Sequence, residues 1–372
     1  MSKKLWITGY FLIIIAALSF VAYKAVSVDP LFHFHAPDTE HYFYPLNNQR
    51  SQNNGITRNF AYGGLITGTS MTENFKTSEA EAIFGMDFIK VPYAGGSYYE
   101  INENLRVSAS HNENLRIVIR GLDMEKFMED TNVMRVDLGK YPTYLYDDNP
   151  LNDVEYIFNR DVIFSRIYPM EKARKEPGFQ PGITSFDSYS TWMGKFSYGP
   201  KAVYADRTAV MEQVSAGNLT EREAEIVRAN IRQNVTALAD EYPDVTFYCF
   251  FTPYSAVWWQ KLLDDGKLDK QIECERIVIE EILGHRNTRL YSFNTLYALT
   301  TDLNHYKDAK HYGEWINSAM LRYMHDGEYL LTAENYEAYL EEEAGFYSTY
   351  DYAALTEEEN FEQDDRAAAL LP

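Results

Sequence analysis

Gly63-Gly64-Leu65-Ile66-Thr67-Gly68-Thr69-Ser70-Met71-Thr72 is a short apolar run that ends in a serine. A helix-like segment, Glu73 to Phe84, follows at once. In an open α/β sheet, ligands bind in the crevice outside the carboxyl ends of the strands, and the first turn of a helix favours developing negative charge. The order of strand, serine and helix therefore predicts that Ser70 lies at a reactive edge of the sheet. Simple capping of the following helix by Ser70 is the structural alternative.

The alternation of short apolar segments with amphipathic ones from Gly63 onward predicts the fold class. It indicates an α/β fold with a mostly parallel sheet flanked by helices, spanning residues 61–330. It breaks between residues 122 and 217, where we expect an insertion. The strand candidates are Leu65–Thr67, Asp87–Val91, Leu115–Ile119, Val245–Phe251 and Arg289–Phe293, and the helix candidates are Glu73–Phe84, Tyr98–His111, Thr220–Asp240 and Lys267–Leu283.

The amino terminus predicts a membrane anchor. Lys3 and Lys4 precede Leu5 to Tyr23, a run without a charged residue. Its length approaches the ~20 residues that cross a bilayer as a helix, and the lysines favour a cytoplasmic amino terminus. We therefore expect residues 1–27 to form one transmembrane signal anchor in the cell membrane, with the rest of the chain extracytoplasmic. A cleaved signal peptide and a buried helix of a soluble domain are the alternatives.

The segments on either side of the predicted domain carry less information. Residues 28–60 are rich in Pro, His, Asn and aromatics without periodicity, which predicts a stalk or a wrapping segment. Residues 331–372 are expected to form a C-terminal helix and an acidic tail, with Glu341–Glu343 and Glu357–Asp365 in solvent. The net charge of −21 argues against a nucleic-acid partner.

Neither histidine nor cysteine spacing predicts a metal site, and we expect no cofactor. His33, His35 and His41 lie close together but lack carboxylates at ligand spacing, so packing or hydrogen bonding is favoured. A metal-dependent esterase that uses His33 and His35 is the weaker alternative. Cys249 and Cys274 are too few for a disulfide framework and are expected to be buried thiols, although an outside location permits a bridge.

A second local pattern complements Ser70. In Asp308-Ala309-Lys310-His311 a carboxylate stands three residues before a histidine. A nucleophilic serine needs a base, and the base needs an orienting acid, so Ser70, His311 and Asp308 are the predicted catalytic residues. Asp302 and His305 have the same spacing and are the alternative acid and base. We prefer His311 because a Tyr-Gly pair and an amphipathic helix, Glu314 to Met324, follow it directly.

In this order the residues resemble the SGNH/GDSL hydrolase superfamily, in a membrane-anchored extracytoplasmic branch. The resemblance covers about residues 60–326 and implies a flavodoxin-like three-layer fold. The blocks that carry it are Gly68-Thr69-Ser70-Met71, Gly95-Gly96-Ser97, Gly121-Leu122-Asp123 and Asp308-x-x-His311.

The resemblance implies an oxyanion hole at Ser70, Gly95, Gly96 and Asp123. The family usually has an asparagine where this chain has Asp123, and an ionised carboxylate there would repel a developing oxyanion. Either Asp123 is protonated or turned away, or the hole uses only backbone N–H groups at Ser70 and Gly95 or Gly96. Asn102 and Asn104 are possible substitutes.

The implied function is a serine-dependent acyl esterase or O-acyltransferase, similar to alginate-type O-acetyltransferases and the D-alanine transfer protein of teichoic-acid systems. The partners it implies are an envelope polysaccharide or teichoic-acid-like polymer, an acyl donor and a membrane-bound acyl-transfer protein. Trp258 and Trp259, after a late strand, are candidate sugar platforms or core residues. The alternative is a non-catalytic glycan-binding or scaffold protein with a degenerate SGNH-like fold, which Asp123 and the aromatic insertion favour.

Overall fold

The computed structural model describes residues 3–137, 140–205 and 214–356. The chain divides into two compact units, one formed by residues 1–60 and 136–185 and the other by residues 61–135 and 186–372. This division differs from the predicted one, because the predicted insertion at 122–217 is shared between the units. Its middle part joins the segment predicted as a stalk, since Phe43–Tyr44 and Gly182–Ile183 pair as parallel strands.

A six-stranded sheet forms the centre of the second unit. The strands of the described chain are β1 (Phe43–Tyr44), β2 (Gly64–Thr67), β3 (Phe88–Lys90), β4 (Ile117–Leu122), β5 (Gly182–Ile183), β6 (Thr246–Phe251), β7 (Thr288–Ser292) and β8 (Leu330–Leu331). The sheet has the order β3-β2-β4-β6-β7-β8, in which only the short edge strand β8 pairs antiparallel. The predicted α/β class with a mostly parallel sheet is confirmed, and each predicted strand overlaps one of these strands.

Helices connect the strands of the six-stranded sheet, and others lie in the first unit together with β1 and β5. They are α1 (Lys3–Val28), α2 (Gln49–Asn59), α3 (Thr77–Phe84), α4 (Tyr98–His111), α5 (Val154–Ile157), α6 (Tyr168–Ala173), α7 (Pro200–Ala205), α8 (Glu221–Ile231), α9 (Ala237–Glu241), α10 (Ala256–Asp264), α11 (Leu268–Leu283), α12 (Tyr297–Thr300), α13 (Glu314–Asp326) and α14 (Tyr336–Thr349). A π-helical turn, Asp161–Ile167, precedes α6, and another, Arg232–Thr236, joins α8 to α9. Thr220 and Glu223 close a capping box at the start of α8.

The helix predicted directly after Ser70 begins later than expected. Ser70–Thr72 form a single 3-10 turn, and α3 starts only at Thr77. The cause is Lys90, whose buried ammonium group donates to the carbonyl oxygens of Glu73 and Phe75 and so withdraws them from helical bonding. The dipole of a long helix therefore does not start at Ser70.

Helix α1 is the one described helix that is long and apolar enough to cross a membrane or to serve as a signal sequence, with a mean hydropathy of 2.2. Its carboxyl end is part of the first unit. Ala25 and Val28 are fully buried, and the Lys24 ammonium lies 2.6 Å from the Glu171 carboxylate. Helix α1 thus continues into the folded first unit without an intervening stalk.

The predicted histidine cluster is held by hydrogen bonds within the first unit. His33 Nε2 lies 2.8 Å from Asp153 Oδ1, and His41 Nδ1 lies 2.9 Å from the Asp38 carboxylate. The ring of His35 lies between two backbone carbonyl groups. Within residues 3–137, 140–205 and 214–356 no group of three or more potential ligands is placed to hold a metal ion.

The tryptophans considered as sugar platforms are core residues. Trp258 and Trp259 have no exposed surface. Trp259 stacks on Tyr347 with ring centroids 4.3 Å apart, and Trp258 packs edge-on against Tyr254. Of the two alternatives for these residues, core packing is confirmed and sugar contact does not agree with their complete burial. Cys249 and Cys274 are free and buried, as expected.

The acidic run Glu341–Glu343 was expected in solvent, but it lies in α14 and Glu343 is fully buried. The Glu343 carboxyl accepts from the Tyr339 hydroxyl at 2.7 Å, and its charge would oppose ionisation of the buried carboxyl of Glu275 on α11. Burial raises the pKa of Glu343 to about 7, and it raises the pKa of Glu275 as well. Both carboxyls are therefore favoured in the neutral, protonated form where α14 packs against α11. The second acidic run, Glu357–Asp365, lies outside the described residues.

Replacing Glu343 with glutamine is expected to stabilise the protein above neutral pH. Because the folded-state pKa is raised, the stability that Glu343 contributes is complete below pH 4.5 and is lost as the pH rises through about 7. A neutral amide keeps the bond from Tyr339 and removes the titration, so we expect a gain on the order of 1 kcal/mol at pH 8. Urea unfolding at pH 5 and pH 8 measures this, with the exposed neighbour Glu341→Gln as control. An equal loss at both pH values would contradict a raised pKa of Glu343.

Candidate active site

The turn that carries Ser70 is built on close backbone contacts. Gly68 has φ of 148°, and a Cβ there would lie 2.6 Å from Thr72 Cγ2, so the position needs glycine. The Thr72 hydroxyl donates to the Thr69 carbonyl oxygen at 2.9 Å. The Asn317 amide on α13 donates to the Met71 carbonyl oxygen at 3.1 Å. These bonds hold Ser70 at the carboxyl end of β2.

Asp308 and His311, the predicted acid and base, lie on a tight loop. Lys307 N–H donates to the His311 carbonyl oxygen at 3.0 Å, which closes the loop. Inside it, the Asp308 carboxylate accepts from the backbone N–H groups of Lys310 and His311 at 2.9 and 2.8 Å. The Ser255 hydroxyl, which follows β6, donates to the Ala309 carbonyl oxygen at 2.8 Å. The loop is thereby tied to the same edge of the sheet as Ser70.

Ser70, His311 and Asp308 form one line of hydrogen bonds. Ser70 Oγ lies 2.8 Å from His311 Nε2, and His311 Nδ1 lies 2.9 Å from both oxygens of Asp308. In the tautomer that these partners favour, Nδ1–H donates to the carboxylate and Nε2 accepts from the serine hydroxyl. This is the arrangement of nucleophile, base and orienting acid that the sequence predicted.

The alternative pair lies elsewhere in the core. His305 is 1% exposed, and its Nδ1 accepts from the Trp315 indole N–H at 2.9 Å. Asp302 Oδ2 is 3.5 Å from His305 Nε2. Both ring nitrogens of His305 thus face partners other than a serine. Of the two pairs with equal spacing, the structure brings only Asp308 and His311 to Ser70.

The Asp308 carboxylate is held ionised. Burial alone would raise its pKa, but the hydrogen bond from His311 and a 2.8 Å contact with the Lys307 ammonium hold that pKa well below its usual range. A carboxylate that stays charged at neutral pH can stabilise an imidazolium formed beside it.

Asp123 is the clearest departure from the predicted oxyanion hole. Its carboxyl is buried and accepts from the hydroxyls of Thr69 and Tyr254 at 2.7 and 2.9 Å. Burial raises its pKa, and the hydrogen bond from Thr69 opposes that rise. The side chain is thus occupied by hydroxyl donors next to Ser70 in sequence and space. Of the interpretations considered, the one in which Asp123 is turned away agrees with this geometry.

The glycine turn after β3 supplies a different set of donors than predicted. Gly96 N–H donates to the Tyr93 carbonyl oxygen at 2.6 Å within the turn, so its prediction as an oxyanion donor is wrong. Beyond the strands β2 and β3, the Tyr93 N–H donates to the Gly68 carbonyl oxygen at 2.8 Å. Ser70 lies two residues after Gly68, and Gly95 lies two residues after Tyr93, so the two residues occupy equivalent positions after neighbouring parallel strands. Gly95 therefore remains the donor candidate on this turn.

The asparagines that could replace Asp123 in the oxyanion hole lie in α4. Asn102 and Asn104 are both buried there, and the Asn102 amide donates to the Gln233 carbonyl oxygen at 3.3 Å.

A cation reaches the glycine turn after β3. Arg135 Nη1 donates to the Ala94 carbonyl oxygen at 2.7 Å. Gly95 has φ of 59°, and the Arg135 side chain is packed where a Cβ of residue 95 would stand.

An aromatic rim beside the base was not found from the sequence. The Trp192 indole meets the His311 ring edge-on with centroids 6.0 Å apart. Asn74 Oδ1 accepts from the backbone N–H of Trp192 at 3.1 Å. This bond ties the rim to the chain after Ser70. The Lys307 ammonium lies 4.5 Å from the Phe196 ring centroid, and Phe196 is 51% exposed. Trp192 and Phe196 fall in the predicted insertion, whose aromatic content was the only available signal.

A scan against protein-family models matched none of them, and a search of curated proteins found no match.

Proposed function

We propose that this chain is a serine-dependent acyl esterase or O-acyltransferase that acts on a cell-envelope or exported polysaccharide. The hydrogen-bonded line of Ser70, His311 and Asp308 carries the proposal. The sheet supports it as well. Numbered along the chain, its five parallel strands have the order 2-1-3-4-5, which is the flavodoxin-like doubly wound order that a resemblance to SGNH hydrolases implies.

In the proposed mechanism Ser70 Oγ attacks the carbonyl carbon of an acyl ester, and His311 Nε2 takes the serine proton. Asp308 holds the imidazole by Nδ1 and stabilises its cation. Collapse of the tetrahedral intermediate breaks the ester bond, and His311 returns the proton to the departing alcohol. The product is an acyl-Ser70 ester.

The second half of the reaction repeats these steps with a new hydroxyl. His311 deprotonates a water molecule or a sugar hydroxyl, which attacks the acyl-enzyme and releases Ser70. Water as acceptor makes the protein an esterase, and a sugar hydroxyl makes it a transferase. The exposed Phe196 ring beside the triad provides an apolar face of the kind that packs on sugars.

The developing oxyanion needs donors, and the backbone N–H groups of Ser70 and Gly95 are the proposed ones. Arg135 supports this role, because its guanidinium lies against the Gly95 turn and adds a positive field there. Lys307, which is paired with Asp308, is a second cation near the site and lies 5.3 Å from the Trp192 ring centroid. These cations favour an anionic polymer at the site, which the net charge of −21 would otherwise repel.

The proposed location follows from α1. As a single-pass anchor it would keep the catalytic unit extracytoplasmic and at the cell membrane, beside envelope polymers. A membrane-bound acyl-transfer protein is then the expected source of the acyl group, because the acyl donor must be delivered across or along the bilayer.

Covalent labelling of full-length protein in nanodiscs tests the proposal. A fluorophosphonate probe is expected to label the wild type, and peptide mapping should place the adduct on Ser70. Hydrolysis of p-nitrophenyl acetate, measured in the same samples, should be lost once the probe has reacted. A folded wild type that neither labels nor turns over would instead favour the non-catalytic glycan-binding or scaffold function, for which Asp123 is the supporting observation.

Replacing Asp123 with asparagine, the residue that the resemblance expects, should not increase turnover. In this chain the side chain serves Thr69 and Tyr254 rather than an oxyanion. Asp123→Ala should leave two buried hydroxyls without their acceptor and destabilise the protein by about 1–3 kcal/mol. Turnover of p-nitrophenyl acetate and thermal unfolding measure both effects. A rate gain of about 100-fold in Asp123→Asn would show instead that position 123 reaches the oxyanion.

A further inference from the structure

The first unit exposes an unusual amount of apolar surface next to α1. Helix α5 and the π-helical turn Asp161–Ile167 pack against α1. We call the exposed apolar residues of this segment the apolar collar, and they range from 42% to 83% exposed. They are Leu151, Val154, Phe158, Phe164 and Tyr168.

The collar segment has apolar residues on both its inner and its outer side. Tyr156, Val162 and Ile167 are buried, and they account for the packing of the segment within the unit. Phe164 and Tyr168, four residues apart, stand outward with 64% and 63% of their surface exposed. Several large exposed apolar side chains within one short segment point to contact with a partner or a membrane.

The position of the collar along α1 identifies the contacting medium. A hydrocarbon core of ~30 Å takes about 20 helical residues, so a span that begins at Leu5 ends near Lys24. In the last turns of α1, Ala25 and Val28 are fully buried in the first unit, and Lys24 pairs with Glu171 on α6. The part of the unit that holds α1 therefore lies where the helix leaves the bilayer.

We infer that the apolar collar inserts into the boundary between lipid headgroups and acyl chains around the exit of α1. Continuity with the membrane-spanning helix selects lipid as its occupant. Phe and Tyr side chains with partly exposed rings suit this boundary. The inference rests on the membrane-anchoring part of the proposed function and does not involve the Ser70 site. Its consequence is that the first unit is docked on the bilayer surface.

Spin labels on the full-length protein in nanodiscs test the inference. Phe164→Cys and Tyr168→Cys would carry a nitroxide, and its collisions with oxygen, which concentrates in lipid, would be compared with collisions with a water-soluble nickel chelate. The native thiols stay silent, because burial raises the pKa of Cys249 to about 11 and of Cys274 to about 12. Unsubstituted protein treated with the label is the blank. Phe11→Cys, in α1, is the lipid reference, and the exposed Glu113→Cys is the aqueous reference.

Accessibility to oxygen above that to nickel at positions 164 and 168, as at position 11, is the expected result. Nickel accessibility at both collar positions with a lipid signal at position 11 would overturn the inference and leave the anchor intact. Low accessibility to both reagents at the collar would also overturn it, since protein would then cover the surface. An aqueous signal at position 11 would reject the anchor itself, while the labelling of Ser70 would still test the chemistry separately.

Discussion

Ser70→Ala is expected to lower the turnover of an acyl ester by up to about 10⁶-fold, because loss of the nucleophile removes the covalent route altogether. The fold should survive the change. The Ser70 hydroxyl makes one partly buried bond, to His311, and a bond of this kind contributes about 0.5–1.5 kcal/mol. We therefore expect the melting temperature to fall by no more than a few degrees, about 2–4 °C for each kcal/mol in a domain of this size.

Ser78→Ala is the matched control for this experiment. The Ser78 hydroxyl also makes a single hydrogen bond, to the Asp187 carboxylate at 2.6 Å, at the start of α3. Its loss should cost similar stability and leave turnover unchanged. If Ser70→Ala unfolded the protein while Ser78→Ala did not, Ser70 would be a structural cap. If Ser70→Ala were stable and fully active, the proposed nucleophile would be wrong.

The parts of the site that could be predicted are those with a short local signature. Ser70 follows an apolar strand directly, and Asp308 and His311 are three residues apart on one loop. The strands of the sheet are short apolar runs that alternate with amphipathic segments, and this alternation explains why the sheet could be predicted as mostly parallel. The helix after Ser70 was misplaced because its start depends on Lys90, a residue of the neighbouring strand.

The parts that could not be predicted depend on contacts between distant segments. Asp123 was ambiguous because its acceptors are satisfied by Thr69 and by Tyr254, which lies after β6. Glu343 looked like part of a solvated acidic run because local sequence does not reveal its partner Glu275 on α11. Trp192 carries no pattern that ties it to His311. Side-chain pairing across the fold, rather than periodicity, decides such roles.

His305 and His311 show most directly that residue spacing alone does not identify the base. Their substitution also provides a prediction with as large an expected effect on turnover as Ser70→Ala. Each follows an aspartate by three residues, so the local pattern favours neither. His311→Ala should reduce turnover by about as much as Ser70→Ala, because nucleophile and base act as a unit. Added imidazole should restore part of the activity if the loss is that of a base. His305→Ala should remain active, because His305 Nδ1 accepts a hydrogen bond from Trp315 Nε1 at 2.9 Å within the core.

For stability, the order of the two histidines should be reversed: His305→Ala should cost more than His311→Ala. His305→Ala leaves the buried Trp315 N–H without its acceptor and opens a cavity, which we expect to cost about 1–3 kcal/mol. His311 is only partly buried and should cost less. Turnover and urea unfolding of both variants at pH 7 test this. We expect His311→Ala to show the larger loss of activity and His305→Ala the larger loss of stability. A folded but inactive His305→Ala beside an active His311→Ala would reverse the assignment of the base, and with it the role of Asp308.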